Sequence, residues 1–475
     1  MADDTTTGSV WLDDPGQQGE PARPLTGEHQ ADVVVIGGGI TGVTTALLAA
    51  RDGHRVILLE ARRVGEGTTG YTTGKVTSQH SLHYARLVEW AGDEHARQYA
   101  AANEAGLDLV ARLVDERGID CSFTRADALV YTRSDEPGSV QRIEQEIAAA
   151  QRLGLPASRV EDSDLPFPIA VGMRFAEQAH FHPQRYLDGL VAALTEAGGV
   201  VHEGSRVMRI RERDGSVTVE TDGGTVRAGS AVVATLLPIG LLGGFFARTR
   251  PSMSYGLAMR LRGEAPASMT ISVDDPVRST RPWLEGGPGG LIVVGNGHEV
   301  GAAVDTRERR SDLETWARET FDVAEVTHQW SAHDYVTPDH VPYVGRAPLH
   351  ENVYVATGFG KWGLANGSAA GLMLTELVGG GEPEWLPVFD ARRTEGVRSL
   401  PTLVTGNLRV GAELVTGQLR TEAPRCSHLG CRLRWNQAEE TWDCFCHGSR
   451  FASDGTVLAG PAVKPIDVDG GAAPG

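Results

Sequence analysis

Residues 31–60, ADVVVIGGGITGVTTALLAARDGHRVILLE, constrain the fold more than any other stretch of the chain. The run Val33–Ile36 is continuously apolar and reads as a strand buried on both faces. A G-x-G-x-x-G turn follows, with glycines at 37, 39 and 42 around Ile40 and Thr41. Val43 to Asp52 reads as a helix, closed by Gly53 where a left-handed residue is favoured. A second buried strand, Val56–Leu59, ends on Glu60. In such a unit Gly37 permits the tight turn, Gly39 lets backbone approach a pyrophosphate, and Gly42 lets helix meet strand. The helix N-terminus offers unpaired N–H groups and a positive dipole end to phosphates. Glu60 suits a ribose diol, and its charge opposes a 2′-phosphate. These residues predict a dinucleotide site, without deciding between NAD and FAD.

A chain of 475 residues has room for two or three domains. Its formal net charge of −18 argues against nucleic acid and anionic membranes as partners. The first residues are acidic and polar with no apolar signal core, so a cytoplasmic protein is expected. The longest apolar stretch, Ala231 to Phe246, is short for a bilayer and carries Pro238, so a strand and loop are expected there without membrane insertion. Cys121 stands alone and reads as a buried small hydrophobe, whereas the other four cysteines fall between 426 and 446 and mark a site.

Residues 1–30 read as a mobile arm in which Trp11 and Leu12 are the candidates for docking. Behind Glu60, Ala61 and Arg62 lead into a small, hydroxyl-rich loop. Its Thr68, Thr69, Thr73, Gly74 and Lys75 offer donors to an anionic or polar ligand. Helices are expected over 83–118, 137–154 and 184–197, and His180 and His182 read as structural histidines at a strand end. Ala231–Thr235, including Ala234 and Thr235, reads as another strand of the parallel sheet. Residues 250–330 suit a separate, mostly antiparallel sheet. A second strand–glycine turn–helix unit then appears. It comprises Val353–Ala356, the loop Gly358, Phe359, Gly360, Lys361, Trp362, Gly363, and a helix from Asn366. A two-domain nicotinamide enzyme has no need of this unit. A large cofactor threading the protein from adenine to isoalloxazine does, so FAD is favoured.

With these motifs, residues 32–380 resemble the D-amino-acid oxidase and glycine oxidase superfamily of flavoproteins. The matching parts are the Gly37/Gly39/Gly42/Glu60 fingerprint, the 67–74 loop, the AVVAT strand and the Ala356–Gly360 loop. The resemblance implies FAD, an interleaved two-domain fold and hydride removal from a carbon bearing an amine. It also implies that Val207 meets the adenine through its backbone. Lys361 is the candidate for a substrate carboxylate, and Trp362 for a wall of the pocket.

The four clustered cysteines lie in two boxes. Cys426-Ser427-His428-Leu429-Gly430-Cys431 is followed by Cys444-Phe445-Cys446-His447-Gly448-Ser449, with fifteen residues, Leu429 to Asp443, between His428 and Cys444. Two Cys and two His suit a Rieske [2Fe–2S] centre, in which thiolates hold one iron and imidazoles the other. Cys426, His428, Cys444 and His447 are the expected ligands. The same set also suits zinc. Both boxes, and Gly460-Pro461-Ala462 as a cover loop, resemble the Rieske proteins of respiratory cytochrome complexes. That resemblance implies a disulfide between Cys431 and Cys446. There are two departures: Phe445 stands where proline is common, and only 421–425 separate the linker from the first box, so much of the base sheet is expected to be missing or replaced by residues 397–420. The module is expected to rest directly on the flavin domain.

The expected architecture is α/β: a Rossmann-like FAD-binding fold (31–82, 165–240, 335–385) interleaved with a mostly antiparallel α+β substrate domain (83–164, 241–334). A linker over 386–420, a small all-β cluster module over 421–470 and a tail over 471–475 complete it. The expected function is oxidation of a small amine or amino-acid-like molecule by FAD, with electrons relayed through the cluster to an unidentified acceptor. Two alternatives stand beside it: an electron carrier without a small-molecule substrate, and an oxidase with a structural zinc module.

Overall fold

The computed structural model describes residues 5–13, 19–393 and 423–468. The strand Gly27–Ile36 lies inside an eight-stranded sheet. Val56–Leu59 and Val200–His202 flank it on one side, and Gly224–Val233, Val353–Thr357 and Tyr343–Arg346 on the other. All of these pair in parallel except the last, which is antiparallel. Val34 stands opposite both Ile57 and Ala231, and Ala231 opposite Val353. That register brings Ile36, Val233 and Thr357 to one edge of the sheet. The loops behind them therefore converge where doubly wound sheets bind ligands.

The helices behind the two glycine turns pack on each other. A Cβ on Gly367 would lie 2.6 Å from Thr41 Oγ1, and one on Gly371 2.7 Å from Thr44 Cγ2. Small residues let Ile40–Arg51 and Gly363–Val378 approach closely. The first and last units of the flavin fold thus share one interface, although more than 300 residues separate them in the chain.

A ten-stranded sheet forms the second layer. Its path runs Thr6–Thr7, Val323–Val336, Arg250–Leu261, Gly290–Glu299, Arg278–Pro282, Met269–Ser272, Thr124–Thr132, Val171–His180, Lys75–Val76. Most neighbours are antiparallel, as the alternating apolar pattern predicts; Thr6–Thr7 and the Met269–Ser272/Thr124–Thr132 pair are parallel. The helices fall at Tyr84–Arg117, Pro137–Arg152 and Pro183–Glu196. His182 is structural: its Nδ1 accepts from Arg185 N–H and caps the third helix. His180 pairs with Lys75 in the sheet.

The segment expected as a mobile arm is packed over its described part. Thr6 and Thr7 pair with His328 and Gln329, and Trp11 is fully buried. The Trp11 indole donates to Thr72 O (2.6 Å), and its ring meets His182 edge-on. Burial of Trp11 works together with the Thr6–Thr7 strand pairing to offset the ordering of the segment.

The cluster module is a four-stranded antiparallel sheet: Leu433–Asn436, Thr441–Cys444, Arg450–Ala452, Val457–Ala459. It rests directly on the flavin domain. Backbone carbonyls of the module accept from flavin-domain guanidiniums: Val457 O from Arg206 (2.9 Å), Ala438 O from Arg310 (2.9 Å) and Gln437 O from Arg307 (3.3 Å). In return Arg434 donates to Gly301 O (2.9 Å). Of the expected linker, Leu386–Phe389 forms one helical turn, while residues 394–420 and the 471–475 tail lie outside the described residues.

Candidate active site and cluster site

At the glycine turn the fit is close. A Cβ on Gly42 would stand 1.9 Å from Gly37 O, and one on Gly37 2.4 Å from Ala234 O. Gly37 also has φ +109°, a conformation side chains resist. Ala234 and Thr235 lie beside this turn, since Ala234 N–H donates to Ile36 O (2.8 Å). Gly39 precedes the helix and caps it without a side chain, leaving its N-terminus open for a phosphate, with Thr41 in the first turn.

Glu60 faces the same turn. Its carboxylate accepts from Gly38 N–H (2.7 Å) and Arg62 N–H (2.8 Å). Burial nonetheless raises its pKa, against the pull of those two bonds. A carboxylate has about four acceptor sites, so positions remain for a ribose diol. Arg62 O accepts from Gly204 N–H and Glu60 O from Ser205 N–H, two residues before buried Val207.

The hydroxyl-rich loop divides. Thr69 Oγ1 accepts from Ile40 N–H (3.1 Å), and Thr68 Oγ1 donates to His333 O (2.6 Å). Thr73 and Gly74 lie at the far end, where Gly74 O accepts from Phe181 N–H. Lys75 leaves the loop altogether: its ammonium donates to Thr270 O (2.8 Å) and Ser279 Oγ (2.6 Å) in the substrate-domain sheet. The structure does not bring it to the glycine turn. Burial, and then Arg281, lower its pKa to about 7.

The second glycine loop is held by the end of the Val323–Val336 strand. Gly360 N–H donates to Tyr335 O (3.0 Å), and Lys361 N–H to the Asp334 carboxylate. Gly358 (φ +80°) closes on Thr337, whose methyl would be 2.4 Å from a Cβ there. Burial raises the Asp334 carboxyl to about 6, against the pull of two backbone N–H bonds and Lys361. The Lys361 ammonium donates to Ser254 Oγ (2.8 Å), and burial lowers its pKa even though part of its surface stays open. Trp362 begins the helix that Gly363 continues, and stacks on His80 with centroids 4.8 Å apart.

The two ligand boxes meet as expected. Cys431 and Cys446 form a disulfide, and Cys426 and Cys444 are free buried thiols. A hydrogen bond between the two free side chains draws the Cys426 thiol down to about 7 and pushes Cys444 up. The imidazoles of His428 and His447 lie 5.2 Å apart, nearly perpendicular. His428 Nε2 contacts Gly240 O at 3.0 Å; a carbonyl only accepts, so the proton is on Nε2. Nδ1 then carries a lone pair. Nδ1 of both histidines is buried without a hydrogen-bond partner, as metal-ligating nitrogens are before a metal is added. A single tetrahedral zinc needs its four donors within about 4 Å of one another. Among the described residues, the groups whose donors gather within 4.8 Å do not include this Cys₂His₂ set. Two irons spread the donors, so the residues fit a [2Fe–2S] centre better than one zinc.

Four participants were not legible in the sequence. Phe246 stands edge-on to both imidazoles, at 5.2 and 4.9 Å. Gly240 anchors His428, Tyr335 OH donates to His447 O (3.0 Å), and Asp334 holds the flavin-side loop. Burial, followed by Cys444 and Cys426, pushes the Tyr335 phenol well above its usual range. The apolar run ending at Phe246 was the available signal, and a strand followed by a loop is what it reads as.

The profile described as FAD dependent oxidoreductase matches residues 32–377, and the Rieske [2Fe-2S] domain profile matches residues 392–468. The putative Rieske 2Fe-2S iron-sulfur protein YhfW of Bacillus subtilis is 32% identical, over 94% of this chain and 96% of that protein. The gamma-glutamylputrescine oxidoreductase of Escherichia coli is 24% identical, over 80% of this chain and 89% of its own length. Glycine oxidase from Geobacillus kaustophilus shares the fold with a TM-score of 0.62 at 20% identity, over 77% of this chain and 99% of that one. Among the described residues no helix is long and apolar enough to cross a membrane. The chain belongs to the FAD dependent oxidoreductase family and carries a C-terminal Rieske [2Fe-2S] domain.

Proposed function

We propose that this protein oxidises an amine or amino-acid-like substrate through FAD and sends the electrons out through its own [2Fe–2S] centre. Relatives named for glycine and gamma-glutamylputrescine support an amine-bearing substrate. Bound FAD supplies a two-electron sink, and the cluster an outlet that works one electron at a time. The substrate loses a hydride from the carbon bearing nitrogen and a proton from the nitrogen, leaving an imine.

The chain's own residues bind and orient. Gly37, Gly39, Ile40, Thr41 and Gly42 hold the pyrophosphate at the helix N-terminus. Glu60, Ala61, Arg62 and Val207 meet the adenosine end. Thr68, Thr69, Thr73 and Gly74, with Ala234 and Thr235, line the middle. Gly358, Gly360, Lys361, Trp362 and Gly363 meet the flavin end, where the Lys361 ammonium also receives the substrate carboxylate. Cys426, His428, Cys444 and His447 hold the cluster.

One observation carries the relay. The strand ending at Val336 touches the flavin-side loops through Asp334 and Tyr335 O, and the cluster loop through the Tyr335 hydroxyl. Anaerobic incubation with an amine and amino-acid panel, followed by absorbance and EPR, tests it. The expected result is one compound that bleaches the flavin while a Rieske signal grows. A bleached flavin beside an oxidised cluster would sink the relay. If no compound bleaches the flavin, the electron-carrier reading takes its place.

A further inference from the structure

The flavin domain reaches into the cluster site with the side chain of Tyr335. Tyr335 is 1% exposed, and its hydroxyl donates to the carbonyl of His447, an expected cluster ligand, across 3.0 Å. The second box is shaped to receive it. Gly448 has φ +71°, and a Cβ there would lie 2.7 Å from Tyr335 Oη, 2.5 Å from Pro251 Cβ and 3.1 Å from His333 Nε2. Only a glycine lets that loop close over the phenol. Cys426 and Cys444 lie near enough to act on the phenol electrostatically.

The neighbours of Tyr335 in the chain face the other redox site. His333 O accepts from Thr68 in the first flavin loop (2.6 Å). The Asp334 carboxylate accepts from Lys361 N–H, and Tyr335 O accepts from Gly360 N–H (3.0 Å) in the second. Three consecutive residues therefore hold two loops of one centre and one loop of the other. A tyrosine kept only for packing needs any nearby acceptor. This one takes the backbone oxygen of a ligand residue, across the domain boundary.

We propose that Tyr335 is a positioning residue of the cluster: its hydroxyl fixes the His447 loop against the flavin domain and contributes to the cluster's polar surroundings. The redox properties of the centre then belong to both domains. This inference rests on the [2Fe–2S] reading given above. A donor directed at the cluster's surroundings favours the reduced state, so losing it lowers the midpoint potential.

The test uses full-length holoprotein and Tyr335→Phe, which deletes one oxygen and keeps the ring. FAD content and cluster absorbance are measured first, then the EPR g-values and midpoint potential of the cluster. The rate of cluster reduction after the flavin is reduced is measured last. The variant is expected to keep its FAD, with shifted g-values and a more negative midpoint. Cluster reduction is expected to slow roughly five- to tenfold, which matches the removal of one hydrogen bond. Tyr335→His, which restores a donor, is expected to recover part of the shift. Loss of the cluster alone, with FAD retained, also supports the proposal. Unchanged g-values, midpoint and rate overturn it, and so does loss of FAD and cluster together, because the effect must be confined to the cluster. A missing Rieske signal in the unaltered protein instead removes the [2Fe–2S] reading itself, before any variant is compared.

Discussion

The Nε2–H of His428 donates to the backbone carbonyl of Gly240 across 3.0 Å. The imidazole of an expected cluster ligand is thereby tied to the flavin domain. Phe246 of the flavin domain stands edge-on to both imidazoles, so the histidine face of the module is turned toward that domain. Docking and redox geometry are one arrangement.

Gly301→Ala is expected to undo that docking. Gly301 has φ +68°, and a Cβ there would meet Phe445 N at 2.5 Å and Phe445 Cα at 2.8 Å. Backbone cannot step aside as a side chain can. The cost is about 2 kcal/mol or more, from strain and overpacking together. Hydrogen exchange at 426–449 is expected to quicken while the flavin domain keeps its FAD. Unchanged protection would show that the module is held elsewhere.

Gly42→Ala addresses the dinucleotide turn. Its Cβ would lie 1.9 Å from Gly37 O, so the turn or the helix must shift by more than an ångström. The purified variant is expected to lose most of its flavin. Its ratio of absorbance at 450 and 280 nm should fall about tenfold, the scale of one charge-assisted hydrogen bond to a phosphate. A full complement of flavin in the variant would place the cofactor away from this turn.

The disulfide is the third test. Cys431 and Cys446 are 15 residues apart, and closing such a loop contributes about 3 kcal/mol in the chain-entropy description. Cys431→Ser is expected to lower the stability of the small module by about that amount, with faster cluster bleaching in air. Equal bleaching rates would show that the protein contacts alone hold the ligand loops.

His80 gives a pH dependence of definite sign. Its Nε2 meets Thr77 O (2.8 Å) and its Nδ1 meets Tyr99 OH (2.7 Å), an arrangement of the neutral ring. Burial lowers its pKa from 6.5 to about 3. Between those values the unfolded chain binds a proton that the folded protein refuses. The stability is therefore present above pH 6.5 and is lost as pH falls toward 3. His80→Gln is expected to flatten the slope in that window by at most about 1.4 kcal/mol per pH unit. His83, buried nearby, is held down by burial and then by His80, so the difference reads the His80–His83 pair. Parallel denaturation curves across the window would refute the assignment.

Lys361→Met separates carboxylate binding from flavin support. For a carboxylate-bearing substrate KM is expected to rise roughly tenfold or more, the scale of one charge-assisted hydrogen bond. A neutral amine is expected to be affected little. Equal losses for both would place Lys361 with the flavin.

Much of the redox chemistry was legible along the chain. The βαβ unit at 31–60 and the two ligand boxes each carry their signal within 30 residues, because turn, helix and metal geometry require fixed spacing. What was not legible depends on register between distant segments. Lys75 belongs by sequence to the hydroxyl-rich loop, yet the sheet pairing with His180 turns it into the substrate domain. Trp11 reads as part of an arm in the sequence, and the strand pairing of Thr6 and Thr7 gives it a buried seat.

The sequence by itself determined that this chain binds a dinucleotide and holds a cysteine–histidine centre, since both are built from contiguous motifs. That the centre would rest on the flavin domain was expected from the sequence; only the tertiary structure decided which residues hold it there. Beside the arginine contacts, Gly240, Phe246 and Tyr335 meet the histidine loops, and their residue types are ordinary anywhere. It is the sheet registers that bring them to the histidines of the second site.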